Sequence, residues 1–512
     1  MKIVFVALAC VLSPVALAAP PPAPTVTVGA SDIKQLQFDW PSVPGVATYE
    51  LWFRAAPGAA WVKYAETPAQ RRVIRINVSV HLLDWRVARY RVAACNPSGC
   101  TNSNEVGVAD LADDVTGYLK PNYLGEARLF GEAVAMSADG MTAAVSLAQT
   151  TANHEGNGVF YVYRKASSTA GWRFEARVVP SLIRGDSGTS LAVNRDGTLI
   201  AFGRGTEGVG GEPGNGAVYL FRRTDSTWKQ EKRLQSSVGY DNFGLTVKLD
   251  DAGNTLAVWR RDAPTWYSGT EGVTEIYSHS SGSWQHVTTI PRPASSQYES
   301  SCQPGFALSG NGQRLFRTCY ADAHRVVLVH EAPGWSESAR IVGYDETKEL
   351  GTNYDGTLFV ARRGLAFADV YRLEQNVWSP DSGSPLNFNI VADVLDPRST
   401  SIAMSRDGKI IAAGDGEDVR GAPGVNYPPV PSKGNAAPGT VYVWERKPSG
   451  WTMRRYLKPT VNPNYSYGTD VAVGNNGKNL IVGASWDESG ATGINGDPSE
   501  APSSLNGAAW LY

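Results

Sequence analysis

An all-β chain built around a seven-bladed β-propeller is predicted by three observations. A phrase recurs seven times along the last four-fifths of the sequence, its clearest copies being GEAVAMSADG (Gly131 to Gly140), GTSLAVNRDG (Gly188 to Gly197) and GTDVAVGNNG (Gly468 to Gly477). Self-similarity of this kind marks an array of like units. Each copy alternates apolar residues, turns at an Asp-Gly or Asn-Gly-like pair, and continues into a second apolar stretch, a third (GAVYLF, Gly216 to Phe221) and usually a Trp-led fourth. Four such strands make one propeller blade. The composition agrees, since 53 Gly and 31 Pro in 512 residues with only 19% charged residues indicate many turns rather than disorder.

From the start of the chain, Lys2, the apolar run from Ile3 to Leu12 and the small-x-small triplet Ala16-Leu17-Ala18 read as a signal peptide, 1-18, cut after Ala18. The run is too short to span a bilayer, which takes about 20 apolar residues, and no later stretch approaches that length. The expectation is a protein without a membrane span, secreted, periplasmic or on the cell surface. Cys10 offers a competing lipoprotein site, but Ala7-Leu8-Ala9 makes a poor lipobox. A Pro-rich leader (19-24) follows. The net charge of −2 and the absence of a Lys/Arg run exclude a nucleic-acid partner, which demands clustered cations.

Residues 25-110 carry no copy of the repeat. Their landmarks are Trp40, Trp61 and Trp85, an alternating Tyr49-x-Leu51 strand, and YRVAACNPSGC from Tyr90 to Cys100. Once Cys10 leaves with the signal, four cysteines remain in an oxidising compartment. Cys95 and Cys100 flank the turn sequence NPSG, and Cys302 and Cys319 flank SGNG, so two local disulfides are the economical pairing. Zinc is the alternative, but no His lies at ligand spacing beside either pair. This segment resembles a fibronectin type III domain, which implies a two-sheet β-sandwich with an early core Trp and a late Tyr-x-Val strand.

The propeller occupies 113-512. Its turn glycines are Gly140, Gly197, Gly253, Gly312, Gly356, Gly408 and Gly477, and Trp172, Trp228, Trp284, Trp335, Trp378 and Trp451 open six fourth strands. The seventh repeat ends after its third strand, at GAAWLY. GYLKPN (Gly117 to Asn122) copies RYLKPT (Arg455 to Thr460), the fourth-strand tail of the sixth repeat. An N-terminal strand is therefore expected to complete the last blade, closing the ring and removing two sheet edges. Phe130-Gly131 and Phe243-Gly244 at repeat openings, with Gly203 and Val482-Gly483-Ala484 after the second strand, resemble the FG-GAP repeat of integrin α-subunit propellers and their bacterial relatives. The fourth repeat lacks the Phe-Gly opening.

That resemblance implies calcium loops in the first hairpins. The residues argue otherwise: SADG, NRDG, DDAG, SGNG, NYDG, SRDG and GNNG each bring one or two carboxylates, too few for a hard cation that takes six or more oxygens. Asp139, Asp196, Asp355 and Asp407 are expected to cap tight turns, and no metal or other cofactor is assigned.

The second-to-third-strand connections are long: Gly203 to Gly216, Gly414 to Gly439 and Trp486 to Gly507. Loops of this length usually carry function. Their acids, with Trp266, Tyr267, Asp415, Glu417, Asp418, Tyr427, Trp486 and Asp487 as the candidate binding residues, suit a glycan or an extracellular or envelope protein, aromatics stacking and carboxylates accepting hydroxyl bonds. Catalytic signatures are scarce. The six His residues form no HxH or HExxH, and GDSG at Gly185 to Gly188 falls at a repeat opening. The reading is a non-catalytic binding protein acting as a monomer. A glycosidase or lyase with carboxylates near the channel mouth, or an envelope scaffold, are the alternatives.

Overall fold

A computed structural model describes residues 19–122, 127–150, 158–181, 190–207, 215–236, 241–262, 272–293, 301–321, 324–342, 349–363, 367–388, 400–416, 418, 423–426, 439–459, 466–500 and 506–512. The described chain is all-β apart from one short 3-10 turn, Ala109–Leu111. It divides into two compact units: residues 1–31, 36–76 and 83–111 form the first, and 32–35, 77–82 and 112–512 the second.

In the first unit, Val62–Pro68, Thr48–Arg54, Arg89–Asn96 and Gly99–Asn102 pair in that order, and Gln35–Asp39 lies between Thr27–Asp32 and Val73–Asn77. Period-two alternation sends Tyr49 and Leu51, and Tyr90 and Val92, into one core with Leu36, Phe38 and Trp40. Phe38 meets Tyr90 at 4.9 Å and Trp40 meets Tyr49 at 5.1 Å between ring centres. Cys95 and Cys100 are cross-strand partners in the hairpin and are disulfide-bonded.

The second unit strings together seven antiparallel sheets, each laddered through four strands. The first runs Ala127–Met136, Thr142–Thr150, Val159–Lys165, Trp172–Val178. The seventh takes Tyr467–Val473, Leu480–Ala484 and Ala508–Leu511 from the end of the chain and Gly117–Leu119 from far upstream, with Ala509 opposite Leu119 and Leu511 opposite Gly117. The innermost strands of successive sheets touch, and that of the seventh touches that of the first. A closed cycle of sheets is a β-propeller. Apolar side chains of adjoining sheets interleave, as where Phe160 and Val162 of the first pack on Phe202 and Tyr219 of the second.

Two backbone devices join the sheets. The seven turn glycines all adopt φ between 65° and 70°, a left-handed conformation that glycine enters without steric cost. That turn shape aims one amide at the next sheet. Asp139 N–H donates to Arg195 O (3.0 Å), Arg195 to Asp251 (2.9 Å), Asp251 to Gly310 (2.8 Å), Asn311 to Tyr354 (2.8 Å), Tyr354 to Arg406 (2.8 Å), Asp407 to Asn475 (2.9 Å) and Asn475 to Ala138 (2.8 Å). The result is a circle of backbone hydrogen bonds. At the opposite ends of the sheets, Phe-Gly and Tyr-Gly pairs act as latches: Phe243, Tyr467 and Phe130 bridge Gly216, Gly439 and Gly507 of the preceding sheet. The carbonyls of Gly244, Gly468 and Gly131 lie so close to Gly203, Gly414 and Gly483 that a Cβ there would sit 2.0–2.1 Å from them.

The fourth repeat solves the same problem differently. Cys302 stands ten residues before its turn glycine, where Phe130, Phe243 and Tyr467 stand in other repeats. It is opposed to Cys319 and disulfide-bonded to it. The turn carboxylates also have work at home. Asp139, Asp196, Asp355 and Asp407 each accept the amide two residues on, at 2.9–3.1 Å.

Candidate functional site

The cycle of sheets encloses a central cavity of about 930 Å³ to which the innermost strands of all seven contribute. Five residues before each turn glycine the repeats read Ala135, Ala192, Lys248, Ala307, Gly351, Ala403 and Ala472, and every one of these lines the cavity. Six are small, which leaves the space open, and one is a lysine. Val134, Leu191, Ile402, Met404 and Val471 contribute apolar atoms to the wall, and Ser190, Thr246, Thr352 and Ser401 contribute hydroxyls.

Toward the turn circle the cavity is crossed by an ion pair. Arg406 and Asp251 both lie two residues before their turn glycines, on the sixth and third sheets, and Arg406 Nε meets Asp251 Oδ1 at 2.9 Å. Arg406 also donates to Leu308 O of the fourth sheet (3.5 Å). Because the third and sixth sheets are not neighbours in the ring, the pair bridges the axis and narrows that end.

The opposite end carries Glu132, Glu349, Asp470, Ser466, Thr469, Ser485 and Trp486. Asp470 is held by two amides, accepting from Val134 (2.8 Å) on the first sheet and from Val471 (2.9 Å). Burial pushes its carboxyl up to about 6; those amides and the Lys248 ammonium oppose the push, and Glu132 adds to it. Burial likewise raises Glu132, against a hydrogen bond with Ser485. Trp486 is 48% exposed, its backbone amide donating to Ser466 Oγ at 2.8 Å. Glu132, Asp470 and Lys248 thus act on one another inside one cavity, beside hydroxyls and an indole.

The loop acids singled out from sequence fare differently. Asp418 is buried, and Tyr442 Oη donates to its carboxylate; Lys458 Nζ donates to Asp418 O (2.7 Å) and Gly439 O (2.9 Å). Asp487 is buried and accepts from Tyr118 Oη and Lys120 Nζ, both at 2.9 Å. Asp415 is buried against the Arg362 guanidinium at 3.3 Å. Glu207 is bound to Arg204 (2.7 Å), Arg233 (2.6 Å) and Tyr219 (2.8 Å). Asp418 and Asp487 are therefore internal ties between strands of single blades, and Asp415 a tie between the sixth sheet and the fifth, which corrects their assignment to an open acidic face: a carboxylate desolvated by packing is retained only where cations and hydroxyls satisfy it. The recurrence was in the sequence, since Glu207, Asp418 and Asp487 each follow their turn glycine by ten residues. Repetition at one repeat position is the mark of structure.

Trp486 is the one candidate binding residue that the described structure places at the cavity. Trp266, Tyr267, Glu417 and Tyr427 lie outside the described residues. Glu132, Lys248 and Asp470, the residues that the cavity brings together, were missed; for Lys248 the signal was the reverse of recurrence, a charge where the other six repeats carry Ala or Gly.

No family model and no curated protein matches this chain. Among solved structures it is similar to hydrazine synthase of Kuenenia stuttgartiensis, with a TM-score of 0.44 and 11% identity over 71% of this chain and 95% of that one. It is also similar to a chain of the mitotic checkpoint complex, with a TM-score of 0.43 and 13% identity over 72% and 90%. The fold assignment rests on the closed cycle of sheets itself. Among the described residues, no helix is long and apolar enough to cross a membrane.

Proposed function

We propose that this chain is an exported, non-catalytic binding protein, in which a fibronectin type III-like sandwich precedes a seven-bladed propeller of the FG-GAP, integrin α-like kind. The propeller engages a glycan or an extracellular or envelope protein through its long-loop end. The observation that carries this is the asymmetry of the central cavity: the Arg406–Asp251 pair crosses one end, while the other offers Glu132, Asp470, hydroxyls and the half-exposed Trp486. Concave sites with a few convergent polar groups are what ligands occupy. Export is supported by the two disulfides, which persist in oxidising compartments. The test is a glycan array and a pull-down with the mature full-length chain and its Trp486→Ala variant. Retention of a partner that the variant loses supports the reading; binding unaffected by the variant overturns it.

A carbohydrate-active enzyme is the second reading, and one observation favours it. Asp470, with its carboxyl pushed to about 6, faces Glu132 in the same cavity, and two carboxyl groups in unlike environments can serve as acid and base. Release of reducing ends from an oligosaccharide panel, abolished by both Asp470→Asn and Glu132→Gln, would establish it.

A further inference from the structure

The repeat isolates one residue. At the position five before the turn glycine, six repeats have Ala or Gly and the third has Lys248. Its side chain makes no hydrogen bond or ion pair among the described residues, yet its charge reaches Asp470 on the seventh sheet. A cation in a cavity costs desolvation unless something compensates, and a neighbouring small residue would have cost nothing. Asp470 and Glu349 stand two residues, and Glu132 three, further from their turn glycines than Lys248, toward the loop end. Positive and negative groups are thus presented along one cavity whose remaining wall mixes small and apolar residues with Ser and Thr hydroxyls.

We propose that the central cavity binds a small zwitterion, a free amino acid or dipeptide, its carboxylate on Lys248 and its ammonium between Glu132 and Asp470. An anion alone would meet Lys248 but face three carboxyl groups, and a cation alone would meet the carboxyl groups but face Lys248. A zwitterion satisfies both, and its remaining polar atoms meet the Ser and Thr hydroxyls of the wall. The cavity, at about 930 Å³, has room for a dipeptide. This inference rests on the binding-protein reading and narrows its ligand.

Titration calorimetry with the mature full-length chain would use leucyl-phenylalanine as the probe and N-acetyl-leucyl-phenylalanine amide, which lacks both end charges, as its control. The expected result is saturable binding of the free dipeptide, weakened at least about tenfold by capping and by Lys248→Ala, which restores the small residue of the other repeats, and largely kept by Lys248→Arg. Equal binding of the capped peptide, indifference to Lys248→Ala, or no binding of the dipeptide at all would each overturn the proposal. If the dipeptide fails while a Trp486-dependent glycan or protein partner is retained, this inference falls and the binding-protein reading stands.

Discussion

At the scale of single residues, charge placement depends on what surrounds each group. Asp470 is the clearest case. Its folded-state pKa of about 6 lies above the ordinary carboxylate value, because burial and Glu132 outweigh the amides of Val134 and Val471 and the Lys248 charge. A group raised in this way binds its proton more tightly when folded, so stability falls as pH rises from the ordinary value through about 6 and stays lower above it. Asp470→Asn keeps an acceptor for Val134 and removes the charge. Allowing for the solvent that reaches the cavity, the variant should gain on the order of 1 kcal/mol at pH 8, about 2 °C in melting temperature, and nothing at pH 4. A melting curve that shifts equally at both pH values would show that the charge is not the cause.

Gly483 tests the latch by sterics alone. A Cβ there would lie 2.0 Å from Gly131 O, a backbone atom that cannot swing aside. Gly483→Ala should destabilise the protein by about 1–3 kcal/mol, the usual range for overpacking, measured by chemical denaturation. Wild-type stability would mean that the first and seventh sheets part at this point without cost.

At the scale of elements, the seven sheets are alike in plan and differ in how each is secured. The fourth carries the Cys302–Cys319 bond where others carry Phe-Gly or Tyr-Gly. Closing a loop with a sequence separation of 17 is worth about 3 kcal/mol in the chain-entropy account. Cys302→Ser with Cys319→Ser should lower denaturation resistance by roughly that amount, whereas a reductant should have no further effect on the double variant's propeller. The strand Gly117–Leu119 is small but closes the ring. It pairs with Ala508–Leu511, and Tyr118 and Lys120 beside it satisfy the buried Asp487. Deleting 113–122 exposes a sheet edge and leaves that carboxylate without two partners, so the loss in thermal midpoint should far exceed that from removing ten surface residues. An unchanged midpoint would mean the seventh sheet holds together without it.

Disulfide pairing, turn glycines and five of the six fourth-strand tryptophans were legible, because each depends on residues close in sequence; Trp335 stands instead in the turn just before Ser336–Val342. Cys95 and Cys100 are a hairpin apart, and Trp172, Trp228, Trp284, Trp378 and Trp451 fall in the fourth strands of their own sheets. The loop acids were misplaced for the opposite reason. Asp487 is satisfied by Tyr118 and Lys120, more than 360 residues away in the chain, and nothing in the loop around it shows that such partners exist.

At the scale of the whole molecule, the carboxylates of the first-hairpin turns are engaged by their own turns. Asp196, Asp355 and Asp407 already accept local backbone amides; for Asp355, burial pushes upward but the hydroxyl and amide of Thr357 prevail and hold its carboxyl below the usual range. A tight calcium site would raise the melting temperature with the logarithm of calcium concentration. The expected outcome is the same midpoint in excess chelator and in millimolar calcium. A large shift abolished by Asp196→Ala and Asp407→Ala would return calcium to the hairpins.

What the sequence by itself determined is the periodic part: strand alternation, turn glycines at one repeat position and the displaced strand that completes the last sheet. These follow from backbone sterics and short-range pattern, which act the same way in every copy. Only the tertiary structure decided which charges are buried ties and which line the cavity. A circle of sheets brings Glu132, Lys248 and Asp470 together from three repeats, and Asp251 to Arg406 across the axis. The cost of burying a charge is set by the partners that arrive in space, and those partners are fixed by closure of the ring rather than by neighbours along the chain.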